Sequence, residues 1–511
     1  MKDGGYNTCN SKILSRTSVS DTLFKTGLNN VAMAKYEVAG QILNAFPHAP
    51  TGDQKTAIHH LSALHQTAKK NPVYILKGYA GTGKTSLISA YVNMLASATK
   101  SFVLLAPTGR AAKVLSKYTG YRAHTIHRYI YHITTSNEGH YRITLSHNRH
   151  KDTIFIIDEA SMISDNSQTS GEAFGGRNVL DDLVSYVFSR ENNKIILVGD
   201  TAQLPPIGLD MSPALDIRYI KSSFDATAFE FEMQEVMRQA YDSGVLSAAT
   251  SLRNKIGSNK PISTLFHIVD FKKDILKIED GNTFEELLND AFTQQDIENS
   301  VIVCRTNKRA NLFNQQVRNS ILNKESEIEG GDVLMVVKND YFWLDETSNA
   351  GFIANGDLMQ VVRILKFEEM YGFHFADAEI RLIDYPEEKE ISVKILLSTI
   401  YIDGPGLPKA ERNALFHQVE KDYMDIPQRR KRVQKIMVNP WYNALHVKFA
   451  YAMTCHKTQG GQWPHVFVDQ GYLTEEMINK EYLRWLYTAV TRSTSKLYLV
   501  NFEPEFFEEQ V

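Results

Sequence analysis

The run Gly78-Tyr79-Ala80-Gly81-Thr82-Gly83-Lys84-Thr85 satisfies G-x-x-x-x-G-K-[ST] in full. It follows an apolar stretch and opens a helical pattern, the context in which such a run is a phosphate-binding loop rather than a Gly-rich turn. Gly78, Gly81 and Gly83 let backbone N–H groups, that of Thr82 among them, turn inward around an anion. The helix beginning at Lys84-Thr85-Ser86 adds the positive end of its dipole. Lys84 would neutralise charge on the β- and γ-phosphates, and the Thr85 hydroxyl would ligate Mg²⁺. Asp158-Glu159 follows the apolar run Ile154-Phe155-Ile156-Ile157. Alone, such a pair reads as an acidic helix start; beside a phosphate loop, Asp158 would hold Mg²⁺ through water and Glu159 would polarise the attacking water. Because the pair can aim at water, it favours a hydrolase over a kinase. Gln203, in Gly199-Asp200-Thr201-Ala202-Gln203-Leu204-Pro205-Pro206, could contact both the γ-phosphate and that water.

These residues need a scaffold that brings strand ends together. Four short apolar runs, Val73–Leu76, Phe102–Leu105, Ile154–Ile157 and Ile195–Val198, alternate with helical stretches. Strands apolar on both faces and separated by helices predict a parallel sheet covered on both sides. A second set, Val301–Cys304, Val466–Val468 and Leu497–Val500, predicts a second α/β core with an insertion over about 361–440. Helical patterns are expected over 32–46, 52–70 and 408–423, the last followed by the basic run Arg429-Arg430-Lys431-Arg432. Residues 1–30 read as a flexible lead-in.

The chain has 511 residues, too many for one hydrophobic core, with 43% hydrophobic and 23% charged residues. No apolar run approaches the ~20 residues that span a bilayer, and no secretory h-region follows the first lysine. Cys9, Cys304 and Cys455 lie far apart, which argues against a disulfide framework or zinc site and suits a cytoplasmic protein. The formal net charge of −3 makes no global case for nucleic acid, though a groove can still be locally basic.

The motifs PTGDQKTAI, GYAGTGKTS, LAPTGRAAKVL, TIHR, IIDEASM, GDTAQLPP, VMRQ, AMTCHKTQGGQ and YTAVTR stand in this order along about residues 40–365 and 440–505. Together they resemble the superfamily 1 DNA helicases of the 5′-to-3′ branch, the RecD-like and Dda-like enzymes. The resemblance implies two RecA-like P-loop cores: a first over 31–127 and 152–240, and a second over 241–360 and 441–511. A β-hairpin insertion at 128–151 would be a strand-separating pin, and an SH3-like insertion with a charged helical extension would fill 361–440. It implies ATP with Mg²⁺, Gln54 reading the adenine edge, and Arg238 and Arg492 meeting the γ-phosphate; spacing alone does not select those arginines. Pro107, Thr108, Arg110 and His127 would touch a single strand in the first core. Thr306, Asn307, Thr454, His456 and Lys457 would face the strand in the second, with Gly460 near the nucleotide. The implied partners are single-stranded DNA, single/double-strand junctions and single-strand-binding or recombination proteins, met by a monomer without membrane contact. Movement 5′ to 3′ is implied by the resemblance only.

Two places depart from the familiar pattern: a long polar loop over 164–178, and Gly109 where some relatives carry a bulkier strand-contacting residue. Two other readings use the same ATP motifs. One is a single-strand translocase or accessory subunit that does not unwind; the other is a small-molecule phosphotransferase, which leaves Glu159 and the second core unexplained. Tyr341-Phe342-Trp343 could stack on bases, but an aromatic cluster in a β-rich module is more often core.

Overall fold

The computed structural model describes residues 37–135, 141–165, 177–237, 243–258, 266–267, 274–294, 297–344, 348, 350–404 and 406–508. The expected lead-in, the tip of the hairpin, most of the long polar loop and Arg238 therefore lie outside the described residues.

The first lobe is built on β1 (Pro72–Gly78), β2 (Phe102–Ala106), β3 (Ala123–Thr125), β6 (Ile154–Ile157), β7 (Lys194–Gly199) and β8 (Thr227–Met233). They pair in parallel in the order β3-β2-β6-β7-β1-β8. The apolar runs are continuous because each strand feeds two cores. Val73, Ile75, Phe155, Ile157, Ile195 and Leu197 pack into one cluster, while Tyr74, Leu76, Ile154, Ile156, Ile196 and Val198 pack into another on the opposite face. This is the period-two alternation of a strand, with apolar residues on both sides. Between β3 and β6 the chain forms a short helix, Ile126–Ile130, and an antiparallel hairpin of β4 (Tyr131–Thr135) and β5 (Tyr141–Leu145).

The second lobe carries β10 (Ile275–Lys277), β11 (Ser300–Cys304), β17 (Ala452–Thr454), β18 (Trp463–Asp469) and β19 (Ser493–Val500). These form a parallel sheet in the order β10-β19-β18-β11-β17. Short β9 (Phe266–His267) and β20 (Phe507–Glu508) pair beside it. Inserted in this lobe is a closed barrel of β12 (Val333–Val336), β13 (Leu358–Met370), β14 (Phe373–Leu382), β15 (Ile391–Leu396) and β16 (Leu445–Phe449).

The barrel is wider in sequence than the expected 361–440. It recruits β12 and the start of β13 from one side, and β16 from the other. Its interior is also continuous with the second-lobe core, since Leu334, Val361 and Val447 share a cluster with Val301, Ile302 and Phe467. Between β15 and β16 sit two helices, Lys409–Lys421 and Arg429–Met437, whose Leu415, Val419 and Ile436 pack against Phe375 and Leu396 of the barrel. The helix expected over 52–70 stops at Gln66, where Thr67 turns extended. Trp343 packs against the second-lobe core and its indole N–H donates to Asn443 O, so that aromatic cluster is structural.

Candidate nucleotide site and strand channel

The sheet order puts the C-terminal ends of β6, β7 and β1 side by side, and with them Asp158-Glu159, the 200–206 loop and the phosphate loop. β7 stands between the acidic pair and β1. The phosphate loop is braced from the helix Gly52–Gln66. Thr51 and Gln54 form a reciprocal cap, with the Gln54 N–H donating to Thr51 Oγ1 and the Thr51 N–H to Gln54 Oε1. The Gln54 amide then reaches across and donates to Thr82 O at 3.0 Å. Gly83 has φ +81°, and a Cβ there would lie 2.3 Å from Gln54 Nε2, so both conformation and space demand glycine. Lys84 Nζ donates to Gly78 O and Tyr79 O, curling over the loop.

Burial, then the neighbouring Glu159, pushes the Asp158 carboxyl up to about 7, while Lys84 pulls the other way. A dication would favour the charged form, so Thr85 and Asp158 fit a Mg²⁺ site. Gln203 is buried, and its Oε1 has no hydrogen-bond partner. It is a buried acceptor left open on the loop that follows β7.

The second lobe closes on this side through the helix Lys480–Val490 and the turn at Gln459. The Leu204 N–H donates to Thr488 Oγ1, Gln459 Nε2 donates to Leu204 O, and Arg484 donates to Asp210 O. Arg492 does not reach the phosphate loop here. Its guanidinium donates to Thr488 O, Gly461 O and Thr491 Oγ1, all within its own lobe.

On the other side of the seam lies a cavity of 250 Å³. It brings together six residues expected to touch a strand: Pro107, Thr108, Arg110 and His127 from the first lobe, and His456 and Lys457 from the second. Thr108 N-caps the helix Gly109–Thr119 and lines the cavity together with Pro107, Gly109 and Arg110. Gly460 lies against the same helix start, so close that a Cβ would sit 2.8 Å from that of Ala111.

Sequence reasoning missed a third wall, made by Asn339, Phe352 and Asn355 next to the barrel, and missed Trp463, over whose ring Arg110 lies at 4.1 Å. Trp463 immediately follows the quoted motif AMTCHKTQGGQ, the one signal that could have found it. Thr306, Asn307 and Thr454 do not line the cavity; Thr306 instead caps the helix Asn307–Gln316 by accepting the Arg309 N–H.

The cavity's titratable groups are tuned by burial. Burial pushes His127 down to about 4, so its ring is neutral at pH 7 in the empty cavity. Lys457, whose ammonium donates to Asn355 Oδ1, is pushed down to about 8 by burial and then by Lys448. Among the described residues no group of three or more His, Cys, Asp or Glu could hold a metal by itself, and no helix is long and apolar enough to cross a membrane.

Comparison with known proteins matches residues 51–261 to the family described as AAA domain, and residues 449–500 to the UvrD-like helicase C-terminal domain. The ATP-dependent RecD2 DNA helicase of Deinococcus radiodurans is 30% identical over 194 residues, 37% of this chain and 23% of that protein. The ATP-dependent DNA helicase dda of Enterobacteria phage T4 is 27% identical over 309 residues, 59% of this chain and 64% of that one. A further relative, from Methanocaldococcus jannaschii, is 24% identical over 84% of this chain but only 37% of its own length, so the chain spans between 23% and 64% of the length of these three relatives. The Pif1 helicase from Bacteroides, solved in complex with ADP-AlF3 and ssDNA, aligns with 91% of this chain and 95% of its own. Its 13% identity and TM-score of 0.44 are too loose to bear on function.

Proposed function

We propose that this chain is a superfamily 1 helicase in the branch of RecD-like and Dda-like enzymes, a reading its family matches and relatives support, and that it hydrolyses ATP to move 5′ to 3′ along single-stranded DNA and to unwind duplex. The observation that carries this reading is the seam. The groups able to act on a nucleotide and the cavity able to grip a strand lie on either side of the same contact between two lobes, and Gln459 belongs to both.

Lys84 and backbone amides of the phosphate loop bind the polyphosphate, and Gln54 meets the base. Mg²⁺ held by Thr85 and Asp158 would draw charge from the phosphate oxygens. Glu159 takes a proton from the attacking water, which Gln203 Oε1 orients. In the role assigned to it, Arg492 exchanges its bonds to Gly461 and Thr491 for the γ-phosphate as the cleft tightens; Arg238 would act from the first lobe. Closure around nucleotide biases a two-state movement of the lobes, and hydrolysis releases that bias. With Thr108 and His127 on one lobe and His456 and Lys457 on the other, the strand is gripped by parts that move relative to each other. The hairpin β4–β5 is the proposed pin.

Measuring ATP hydrolysis with and without single-stranded DNA tests this reading. A motor is stimulated steeply by the strand. A small-molecule phosphotransferase is indifferent to it, and that result would overturn the proposal. A translocase that does not unwind shares every nucleotide feature and differs only in leaving duplex intact.

A further inference from the structure

Tyr487 belongs to the second lobe, is 1% exposed, and shares its hydroxyl between two loops of the first lobe. The Ala80 N–H of the phosphate loop donates to Tyr487 Oη at 2.8 Å, and the hydroxyl donates to Asp200 Oδ2 at 2.8 Å. Asp200 Oδ1 in turn accepts the Ala202 N–H at 2.9 Å, inside the loop that carries Gln203. One hydroxyl thus ties the phosphate loop to the glutamine loop through a residue of the opposite lobe.

The next residue extends the tie. Thr488 Oγ1 accepts the Leu204 N–H at 2.8 Å while donating to Arg484 O, and Gln459 Nε2 donates to Leu204 O at 2.7 Å. Both backbone polar groups of the residue after Gln203 are therefore held by the second lobe.

We propose that Tyr487, supported by Thr488 and Gln459, is a positioning residue that makes the alignment of Gln203 depend on where the second lobe stands. The inference deepens the motor reading and rests on it. If the lobe moved and the loop did not, a buried N–H, a buried carbonyl and the Asp200 carboxylate would each lose a partner, so the loop follows the lobe. The short helix Cys455–Thr458 carries His456 and Lys457 into the strand cavity and ends next to Gln459. A strand engaged there acts on the glutamine loop through one rigid turn. The Tyr487 hydroxyl touches no reacting atom in this scheme; it sets the register between the phosphate loop and the water-orienting side chain.

Tyr487→Phe keeps the ring and deletes the tie. The expected result is a roughly tenfold fall in strand-stimulated kcat, with the KM for ATP within about threefold, and a similar fall in the ratio of stimulated to strand-free rate. Without nucleotide, amide exchange of Ala80 and of residues 202–204 is expected to quicken, a readout that needs no turnover. Thr488→Val removes the acceptor for the Leu204 N–H and is expected to give the same kinetic split; it also serves if the phenylalanine variant folds poorly. A wild-type stimulation ratio with unchanged exchange in Tyr487→Phe overturns the inference, and so does an equal loss in the strand-free rate. Wild-type protein that shows no stimulation overturns the motor reading itself, a distinct outcome.

Discussion

At neutral pH Lys457 is a cation close to losing its proton. Its pKa of about 8 results from burial and from Lys448 nearby, and its ammonium points at Asn355 in the strand cavity. Only the protonated form attracts a phosphate, so a bound strand must raise this pKa, and by linkage affinity must weaken as pH climbs through 8. Strand affinity is expected to be flat from pH 6.5 to 7.5 and to fall by up to about tenfold at pH 9, the charged fraction left at one unit above the pKa. Burial shifts His127, to about 4, and His456 downward, away from the fall expected above pH 8. Lys457→Arg keeps the charge through pH 9 and should flatten the profile. If the arginine variant keeps the same slope, the titrating group lies elsewhere. Lys448, also lowered to about 8, would then be the next to replace.

The barrel is held to the first lobe by a buried polar contact, and this explains Gly109. Arg128, at the root of the hairpin, donates to Asp357 Oδ2 at 2.8 Å and to Phe352 O, and stacks on the Tyr385 ring at 4.2 Å. A Cβ on Gly109 would come within 2.6 Å of Asp357 Oδ1 and 2.9 Å of the Tyr385 hydroxyl, so a bulkier residue at that position would push the barrel off. Gly109→Ala is expected to destabilise by about 1–3 kcal/mol through overpacking and to weaken strand binding. Arg128→Ala leaves the Asp357 carboxyl, already raised to about 6 by burial, without its cation; this should cost up to about 3–5 kcal/mol, most of it recovered by Arg128→Met with Asp357→Leu. Thermal unfolding of the three variants decides, and a single-variant cost below about 1 kcal/mol would mean that the pair is solvated. The hairpin belongs to the same scale: replacing residues 132–144 with a short Gly-Ser turn should abolish unwinding while strand-stimulated hydrolysis persists, and an unchanged unwinding rate would refute the pin. Elements such as β1 and β6 were legible because a strand buried on both faces leaves an unbroken apolar run. The barrel's limits were not, because Val333-Leu334-Met335-Val336 and Leu445–Phe449 look like core strands and nothing local says which sheet a buried strand joins. The same divide runs through the site. The phosphate loop is eight contiguous residues, whereas Tyr487 meets Ala80 across 407 positions of chain.

At the scale of the whole molecule, a motor differs from a nucleotide switch in having a direction. In the proposed motor, strand polarity is set by which lobe leads as the cleft closes, and the two proposed grips are unequal. The first lobe presents Thr108 and a neutral His127, while the second presents His456 and a chargeable Lys457, with the barrel wall alongside. A strand whose backbone runs one way through these walls does not present equivalent phosphates when reversed. Directional movement therefore converts a 5′ tail into unwinding and leaves a 3′ tail inert, or the reverse. For this chain, duplexes with 5′ single-stranded tails are expected to be separated, and those with 3′ tails and blunt ends to remain intact at the same protein concentration. Lys84→Ala removes the ammonium proposed to bind the polyphosphate, so it should abolish both hydrolysis and separation on every substrate while strand binding survives in the absence of nucleotide. Unwinding confined to the 3′-tailed substrate would reverse the assigned polarity but keep the motor. Separation by Lys84→Ala at the wild-type rate would mean that the duplex is melted by binding alone, and that the seam between the lobes does no mechanical work.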